Sequence, residues 1–390
     1  MVNFAKTGVK KMDIGRRNFI TSKQYMTFLI SAQVGVGAIT LPNRLAVSVG
    51  HDGWIAVIFG GIISASLSTL SVKLMERYKD KNLFEINSLS YGKFFGTALN
   101  LLVILYSFLK CSITLGFFVQ TVHTTALKLT PAIILAAVLA APAIYLSWYG
   151  LKPMCRFASV IFVIIFLEFF LFTLRFGEFK TVFLMPVGIF KIPKMARAIF
   201  STSYTFLSSS ILTIIYTEIT DKKNALKYSL TSNVITTLFI LISTAFTIGL
   251  FGENMLKHII FPLYEVATTY NVPVLERIDL WFLSIWFPAL SMSFGLYFFI
   301  IYYSIGKVFK KTNSSASKSS PNKAKKSIFN MNTVSLLVLS IFIVLFSIIP
   351  NNFSDVRKYI IILDYIGNPL IFGPLIFNYI LSFFKKPALH

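Results

Sequence analysis

Long apolar blocks alternate with short charged segments along almost the whole chain. Clear examples cover 55–70, 133–146, 160–174 and 334–349. Inside a lipid bilayer every backbone N–H and C=O must be paired internally, so apolar stretches of about 20 residues form spanning helices. The pattern therefore predicts ten transmembrane helices, at 24–49, 53–75, 95–126, 130–147, 154–174, 196–217, 226–251, 278–305, 330–349 and 359–382.

Composition also indicates a membrane protein. It is 55% hydrophobic and only 13% charged, with a mean hydropathy of +0.72, whereas soluble domains carry about 25% charged residues. No stretch between the predicted spans is long enough to form a soluble domain. The protein is thus expected to be an all-α, multi-pass integral membrane protein.

The distribution of Lys and Arg predicts the orientation. One set of alternating segments, namely 1–23, 73–93, 148–156, 218–228, 306–326 and 385–386, holds 25 of the 37 basic residues. By the positive-inside rule these segments and both termini are cytoplasmic, although 175–197 on the opposite side carries five basic residues. Because the basic residues are spread among membrane spans, the net charge of +22 gives no support to a nucleic-acid partner.

The expected organisation follows from the spans. It consists of a basic cytoplasmic N-terminus at 1–23, a five-helix repeat at 24–174, an extracytoplasmic loop at 175–195, a second five-helix repeat at 196–382 and a cytoplasmic tail at 383–390. The second repeat contains a basic cytoplasmic linker at 306–329, whose Ser-, Lys- and Asn-rich core is expected to be flexible. The linker is expected to act as a simple tether between two spans; the alternative is that it binds anionic membrane lipid.

Two of the predicted spans have an unusual composition. The first contains Gly35 and Gly37, and the sixth contains the hydroxyl-rich segment 201–210; both features weaken a helix. Breaks are therefore predicted at 33–37 and 203–209. Since five is odd, the second five-helix half enters the membrane inverted, which is the LeuT-like 5+5 inverted repeat with broken helices 1 and 6. The alternative for the glycines is close helix packing.

Such breaks would suit a zwitterionic ligand. The amides at the start of one half-helix attract a carboxylate, and the carbonyls at the end of the other attract an ammonium group. We expect a small amino acid with its carboxylate on the amides of Gly35, Val36 and Gly37. Its ammonium would lie on carbonyls of Gln33 or of the break in the sixth span.

Several segments resemble one known family. The run from Gly35 to Pro42, the run from Val49 to Ile55, Tyr91-Gly92-Lys93, Leu184-Met185-Pro186 and the run from Val272 to Asp279 are similar to B subunits of spore germinant receptors, the GerAB and GerKB group. The resemblance implies the amino acid, polyamine and organocation permease superfamily and the LeuT-like fold. It also implies A-type and C-type partner subunits, a nutrient such as an amino acid as ligand, and the inner membrane of the spore.

In that superfamily the pocket is lined by spans one, three, six and eight. The residues of this chain that match these positions are Gln33, Val34, Gly35, Val36, Gly37, Tyr106, Cys111, Thr114, Tyr204, Phe206, Leu207, Ser293 and Tyr297, with Ser107 and Ser291 as further polar candidates. The mostly apolar side-chain end favours a small or aliphatic ligand. For any single polar residue, bonding between helices at about 0.6 kcal/mol is the alternative role.

Few charged residues fall within the spans. Lys110 and Glu168 are expected to face a partner or water, and either they pair with each other or one of them carries a proton. Glu218 is expected at the membrane interface, and Glu276 and Asp279 are expected to cap a helix N-terminus or contact a partner. The scattered Cys and His residues give no sign of a disulfide or a metal site.

Three function classes remain on this sequence. The first is a nutrient-sensing subunit of a germinant receptor; the alternatives are a proton-coupled amino acid permease and a ligand-gated ion conduit. Ser291 and Ser293 are not adjacent, so no sodium site is indicated. No nucleophile, base and orienting group share a plausible pocket, so neither an enzyme nor a cofactor is predicted.

Overall fold

A computed structural model describes residues 19–78, 81–206, 211–268, 278–313, 321–350 and 352–384. Within these ranges, the side chains at 36, 38, 168–174, 204, 278–279, 306–313 and 321–333 are not described. The helices are α1 (Ser22–Val49), α2 (Gly53–Arg77), α3 (Leu83–Ser90), α4 (Gly92–Thr125), α5 (Ala132–Tyr149), α6 (Leu151–Leu174), α7 (Ile192–Thr205), α8 (Leu212–Ile215), α9 (Ala225–Leu256), α10 (Pro262–Thr268), α11 (Ile278–Asn313), α12 (Pro321–Ser347) and α13 (Phe353–Phe384).

The remaining described secondary structure is short. Single 3₁₀ turns lie at Gly50–Asp52, Phe176–Glu178, Thr181–Leu184, Tyr216–Glu218 and Lys222–Asn224. Within the described residues, β-structure is limited to an isolated parallel bridge between Ile20 and Ile219. The all-α prediction is therefore confirmed.

Helix lies within every predicted span, and only the sixth is interrupted among the described residues. Six segments of the described residues are long and apolar enough to cross a membrane: Ile39–Arg77, Gly92–Thr125, Ala132–Tyr149, Lys222–Leu256, Leu280–Ile305 and Phe353–Phe384. The chain is thus a multi-pass membrane protein, and ten as the exact number of spans stays a prediction.

Local sequence explains where two helices begin. Thr21 accepts a hydrogen bond from the Gln24 amide and Gln24 reaches back to the Thr21 amide, which starts α1 with a capping box. Asn82 and Glu85 form the same arrangement at α3. Sequence analysis missed α3, a short helix in the predicted loop 73–93, although the Asn-x-x-Glu spacing was a usable signal.

The predicted break in the first span is wrong. Helix α1 runs without interruption through 33–37. A Cβ at Gly35 would lie 2.0 Å from Ser293 Oγ, and one at Gly37 would lie 2.2 Å from Thr205 Cγ2. The glycines therefore let α11 and α7 approach α1 closely, which is the packing role that small residues have between membrane helices.

The sixth span is interrupted, but later than predicted. Residues 203–205 still belong to α7, and Phe206 lies in a turn, with its amide bonded to the carbonyl of Ser203 at 3.2 Å. The helix resumes at Leu212 as α8. The other positions of the predicted break, 207–209, lie outside the described residues.

The predicted linker 306–329 is partly helical. Helix α11 continues to Asn313 and α12 begins at Pro321, so the expected flexible linker is wrong at both of its ends. Of the expected capping residues, Glu276 and the side chain of Asp279 lie outside the described part of the chain. The amphipathic segment before them forms α10, with Leu263 and Val266 buried.

Helix α1 lies at the centre of the molecule, packed against α6, α7, α9 and α11. Its N-terminal end is fixed to the segment after α8. The Ile20 amide donates to the Glu218 carbonyl at 3.0 Å, and the Ser22 amide donates to Asp221 Oδ1 at 2.6 Å. Glu218, expected at the interface, also accepts a hydrogen bond from Tyr303 Oη at 2.7 Å.

Candidate functional site

The glycine segment of α1 is held from one side by α11. Ser293 Oγ donates to the Ala32 carbonyl at 2.6 Å, and Trp286 Nε1 donates to the Gly35 carbonyl at 3.2 Å. Ser293 and Trp286 are both buried. These contacts with backbone oxygen atoms require the close approach that Gly35 permits.

Gln33 connects the same segment to the interruption of the sixth span. Its Nε2 donates to the carbonyl of Phe206 at 3.4 Å, and the side chain is buried. Its Oε1 has no hydrogen-bond partner among the described residues. A buried amide oxygen without a partner is unfavourable by about 1–3 kcal/mol, so the position favours a ligand that donates a hydrogen bond.

The other predicted residues form a second group farther along α4 and α11. Tyr106 and Tyr297 line one cavity of about 30 Å³, which also contacts Ser107, Ile211 and Pro374. This "inner cavity" has room for about two water molecules. It reaches α3 and therefore lies towards the predicted cytoplasmic side.

Between the two groups, Cys111 Sγ contacts the Phe294 carbonyl at 3.7 Å. Thr114 and Val34 are buried, and Ser291 bonds within its own helix to the Phe287 carbonyl at 3.1 Å. The side chains of Val36 and Tyr204, and all of Leu207, lie outside the part that the structure describes. The structure therefore joins Gln33 to Phe206 on one side of α1, places Ser293 against Gly35 on the opposite side, and brings Tyr106 and Tyr297 to one cavity.

A buried charge cluster was missed by sequence analysis. Arg44 lies near the C-terminal end of α1. Its Nη2 donates hydrogen bonds to Asp364 Oδ2 of α13 and to Ser201 Oγ of α7, each at 2.5 Å. Lys110 Nζ of α4 lies 3.6 Å from Asp364 Oδ1. Asp364 is thus the partner that the buried position of Lys110 requires; the side chain of Glu168, the predicted partner, lies outside the described residues. Asp364 inside an apolar segment was the available signal.

Aromatic side chains fill the space between this cluster and Gly35. The Phe117 ring lies 6.3 Å from that of Trp286, whose indole bonds Gly35, and 5.5 Å from that of Phe353. Phe261 packs against both Phe117 and Phe353, at centroid distances of 5.9 and 5.0 Å. We call Phe117, Phe261, Trp286 and Phe353 the aromatic plug, because their rings separate the end of α1 from its glycine segment.

The connection between α1 and α2, on the predicted outer face, contains a further polar group. His51 Nδ1 lies 2.8 Å from Glu253 Oε2 and Nε2 lies 2.5 Å from the Pro186 carbonyl. Asp52 Oδ1 accepts from the Gly188 amide at 3.0 Å. Burial alone would lower the pKa of His51, but the hydrogen bonds to Glu253 and Pro186 and the nearby carboxylates raise it above its ordinary value.

The chain is similar in sequence to known spore germination proteins. The model of the spore germination protein family matches residues 19–356. Spore germination protein GerQB of Bacillus cereus is 23% identical over 70% of this chain and 77% of its own length. Spore germination protein B2 of Bacillus subtilis strain 168 is 26% identical over 68% and 73%, and protein A2 of that strain is 22% identical over 93% and 95%.

Solved transporter structures share the fold. Mhp1, a nucleobase-cation-symport-1 family transporter, superimposes with a TM-score of 0.67 at 14% identity, over 95% of this chain and 80% of its own. MhsT in complex with L-phenylalanine gives a TM-score of 0.60 at 13% identity, over 92% and 88%. The LeuT-like fold is therefore confirmed. The match of the family model over residues 19–356, most of the chain, places the protein in the spore germination protein family.

Proposed function

We propose that this protein is the nutrient-sensing membrane subunit of a spore germinant receptor and binds a small amino acid where α1 meets the interruption of the sixth span. The observation that carries the proposal is Gln33. Its buried Oε1 has no partner among the described residues, and its Nε2 reaches the Phe206 carbonyl, which lies at the end of a helix. An ammonium group placed between these two oxygen atoms would satisfy both.

The ligand site in this proposal is the predicted set, adjusted to the unbroken α1. Gly35 and Gly37 contribute by close packing instead of by free amides, because α1 keeps its own hydrogen bonds there. Gln33 and Phe206 lie nearest the ligand, Ser293 holds the opposite side of α1, and Cys111, Thr114, Tyr106 and Tyr297 continue the lining towards the inner cavity. A-type and C-type receptor subunits are the proposed partners, in the inner spore membrane with both termini in the cytoplasm.

A proton-coupled amino acid permease is the second candidate. It is favoured by two small cavities on opposite sides of the closed glycine segment, the inner one and a second one beside Arg44. Alternating access would open these in turn. Uptake of a labelled amino acid by reconstituted protein, absent from empty vesicles, would support the permease; binding without uptake would support the sensor. No enzymatic role is proposed.

The test substitutes Gln33→Met, which keeps length and removes both polar atoms. Spores would be exposed to L-alanine, L-valine and glycine in turn. We expect the effective concentration of the triggering amino acid to rise at least about tenfold, since one hydrogen bond to a charged group contributes about 1.5–3 kcal/mol. Gln33 is preferred over Gly35→Leu, because a side chain at Gly35 would meet Ser293 and the Ala289 backbone.

Gln120→Met is the matched control. Gln120 also uses Nε2 for one hydrogen bond to a backbone carbonyl, that of Pro350 at 3.1 Å. With equal amounts of protein in the membrane, this variant should respond like the unmodified protein. An unchanged response of Gln33→Met, or an equal loss in both variants, would exclude the proposed site.

A further inference from the structure

A cavity on the predicted outer side of the aromatic plug is lined by two guanidinium groups. The "outer cavity", of about 20 Å³, is bounded by Thr40, Asn43, Arg44, Phe117, Ile260, Phe353, Arg357, Ile360 and Ile361. No carboxylate is among these lining residues. Arg44 and Arg357 line the same cavity, so positive charge is concentrated in a largely apolar surrounding.

The charges around the cavity do not balance among the described residues. Asp364 is the one carboxylate in contact with Arg44, and it is shared with Lys110. Arg357 forms no hydrogen bond or ion pair with the described part of the chain. The Arg44 side chain is largely buried and Arg357 is partly buried. Cations withdrawn from water are unfavourable unless they are paired, and an anion in the cavity would pair with both guanidinium groups.

The donors of the two arginines remain available for an anion. Arg44 uses only Nη2 for Asp364 and Ser201, so its Nε and Nη1 groups have no partner among the described residues. A guanidinium offers its N–H groups in a planar fork that matches the two oxygen atoms of a carboxylate. Asn43, by contrast, is already bonded to the carbonyls of Leu256 and Lys257.

We propose that Arg44 and Arg357 form a second ligand subsite that takes the carboxylate of a small, partly apolar organic acid or amino acid. The remaining lining, Phe117, Ile260, Phe353 and Ile361, suits an aliphatic body and disfavours a strongly hydrated inorganic anion. The present volume accommodates a group of about one or two water molecules in size, which is the scale of the headgroup. The body would extend towards the predicted outer face past Ile260.

This subsite is separate from the one around Gln33. Arg44 follows Gln33 by eleven positions on the continuous α1, about 16 Å at 1.5 Å per residue. The aromatic plug lies between the two. The inference rests on the proposed function in one respect, namely that the ligand carries a carboxylate; it adds an entry position that the ligand occupies before it reaches Gln33.

The test measures thermal unfolding of the purified full chain in detergent with sodium propionate, which carries a carboxylate and no ammonium group. Propionate should raise the melting temperature in a saturable manner. Propionamide, and sodium chloride at equal ionic strength, should not. An equal shift with either of these would overturn the proposal, because it would mean general solute or salt stabilisation.

Arg357→Gln should weaken the apparent propionate affinity by about tenfold or more. Lys358→Gln is the matched control: it removes the same charge from the neighbouring residue of α13, which is exposed and pairs only with Asp355 at 3.6 Å in the described chain. Its propionate affinity should be unchanged. Retained affinity in Arg357→Gln, or equal loss in both variants, would overturn the proposal.

Two more variants complete the test. If Arg357→Gln does not fold, Arg357→Lys decides by the same criterion, since it keeps the charge but loses the planar fork. Gln33→Met should keep the propionate shift. Loss of the shift in Gln33→Met alone would mean that propionate binds centrally, which overturns the outer subsite and leaves the proposed function standing. An unchanged amino acid response in Gln33→Met with a normal propionate shift would do the reverse.

Discussion

The two ends of one helix are stabilised by different forces. Around Gly35, α1 meets a hydroxyl, an indole N–H and the backbone of α11, and the fit depends on the absence of a side chain. Around Arg44, nine positions later, the same helix is held by an ion pair to Asp364 and a hydrogen bond to Ser201. The first contact depends on shape and the second on charge.

Because of this difference, the two regions of α1 should respond differently to pH, salt and bound ions. Packing contacts in a dry helix interface are insensitive to pH and salt, so the glycine segment can be moved only by a ligand or by its neighbouring helices. A charge cluster responds to any competing ion. The end of α1 near the predicted outer face is therefore the one whose stability we expect to depend on salt and bound ions.

The largest effect is expected at the charge cluster. Asp364→Asn removes the carboxylate shared by Arg44 and Lys110 and leaves both cations in a buried position. Breaking a buried ion pair on one side is destabilising by about 3–5 kcal/mol. We expect a corresponding fall in the free energy of unfolding, measured by chemical denaturation in detergent or bicelles.

Asp355→Asn provides the comparison on the same helix. Asp355 pairs with the exposed Lys358 at 3.6 Å, and exposed pairs contribute about 0–1 kcal/mol. A second substitution, Lys110→Met in the Asp364→Asn background, should recover part of the loss, because one uncompensated cation is removed. Equal effects of the two Asp substitutions would show that the cluster carries no special stability.

The next effect is expected at the glycine segment. Gly35→Ala would place a Cβ 2.0 Å from Ser293 Oγ and 3.1 Å from the Ala289 carbonyl. Overpacking of this kind is destabilising by about 1–3 kcal/mol. The unfolding free energy should fall by that amount equally at low and high salt, which distinguishes this region from the charge cluster.

Gly373→Ala in α13 is the control, since a Cβ there meets nothing within 4 Å. It should be neutral or slightly stabilising because alanine is the better helix former. Adding Ser293→Gly to Gly35→Ala removes the nearer of the two obstacles and should restore part of the stability. Without any such recovery, Gly35 would be shown to matter for a reason other than its fit against Ser293.

Much of the fold could be predicted from the sequence because hydropathy acts locally. A run of apolar residues in α4 or α9 forms a helix whatever lies elsewhere in the chain. Close packing was one of the two predicted roles of Gly35, but its partner Trp286, 251 positions away, could not be predicted. The pairing of Arg44 with Asp364, 320 positions apart, was invisible for the same reason.

Within the candidate site, the sequence identified residues that lie beside α1 but not the sides on which they lie. Gln33 contacts the Phe206 carbonyl on one side of α1, and Ser293 packs against Ala32 and Gly35 on another. The predicted helix break at Gly35 is absent. Glycine weakens an isolated helix, but close packing of neighbouring helices outweighs that weakness. Glycine spacing alone cannot distinguish a break from a close contact.

The smallest expected effect concerns pH at the predicted outer face. Both ring nitrogens of His51 face acceptors, Glu253 Oε2 and the Pro186 carbonyl, so both bonds form only when the ring is protonated and donates twice. Asp52 faces the same ring, with its Oδ2 at 3.8 Å from Nε2, and Lys257 contacts Glu253 from the same helix at 3.1 Å. Protonated His51 thus joins the α1–α2 connection to α9 and to the 185–190 segment.

Because the pKa of His51 is raised in the folded protein, its contribution is fully present below its ordinary pKa and is lost as the pH rises through the raised value. As the pH rises above the ordinary pKa of histidine, about 6.5, we expect a loss of about 1 kcal/mol, less than the roughly 1.5–3 kcal/mol of a charged hydrogen bond because the site is partly exposed. Hydrogen exchange at the Gly188 amide, corrected for the intrinsic rate, should report it locally. His51→Gln should remove the pH dependence, whereas His258→Gln should not, since His258 contacts only the Asn254 carbonyl through Nδ1 among the described residues. Parallel pH profiles for the unmodified protein and His51→Gln would mean that contacts other than this ring hold the predicted outer face. The evidence that charge stabilises the outer end of α1, whereas shape stabilises its centre, would then consist of Arg44 and Asp364 alone.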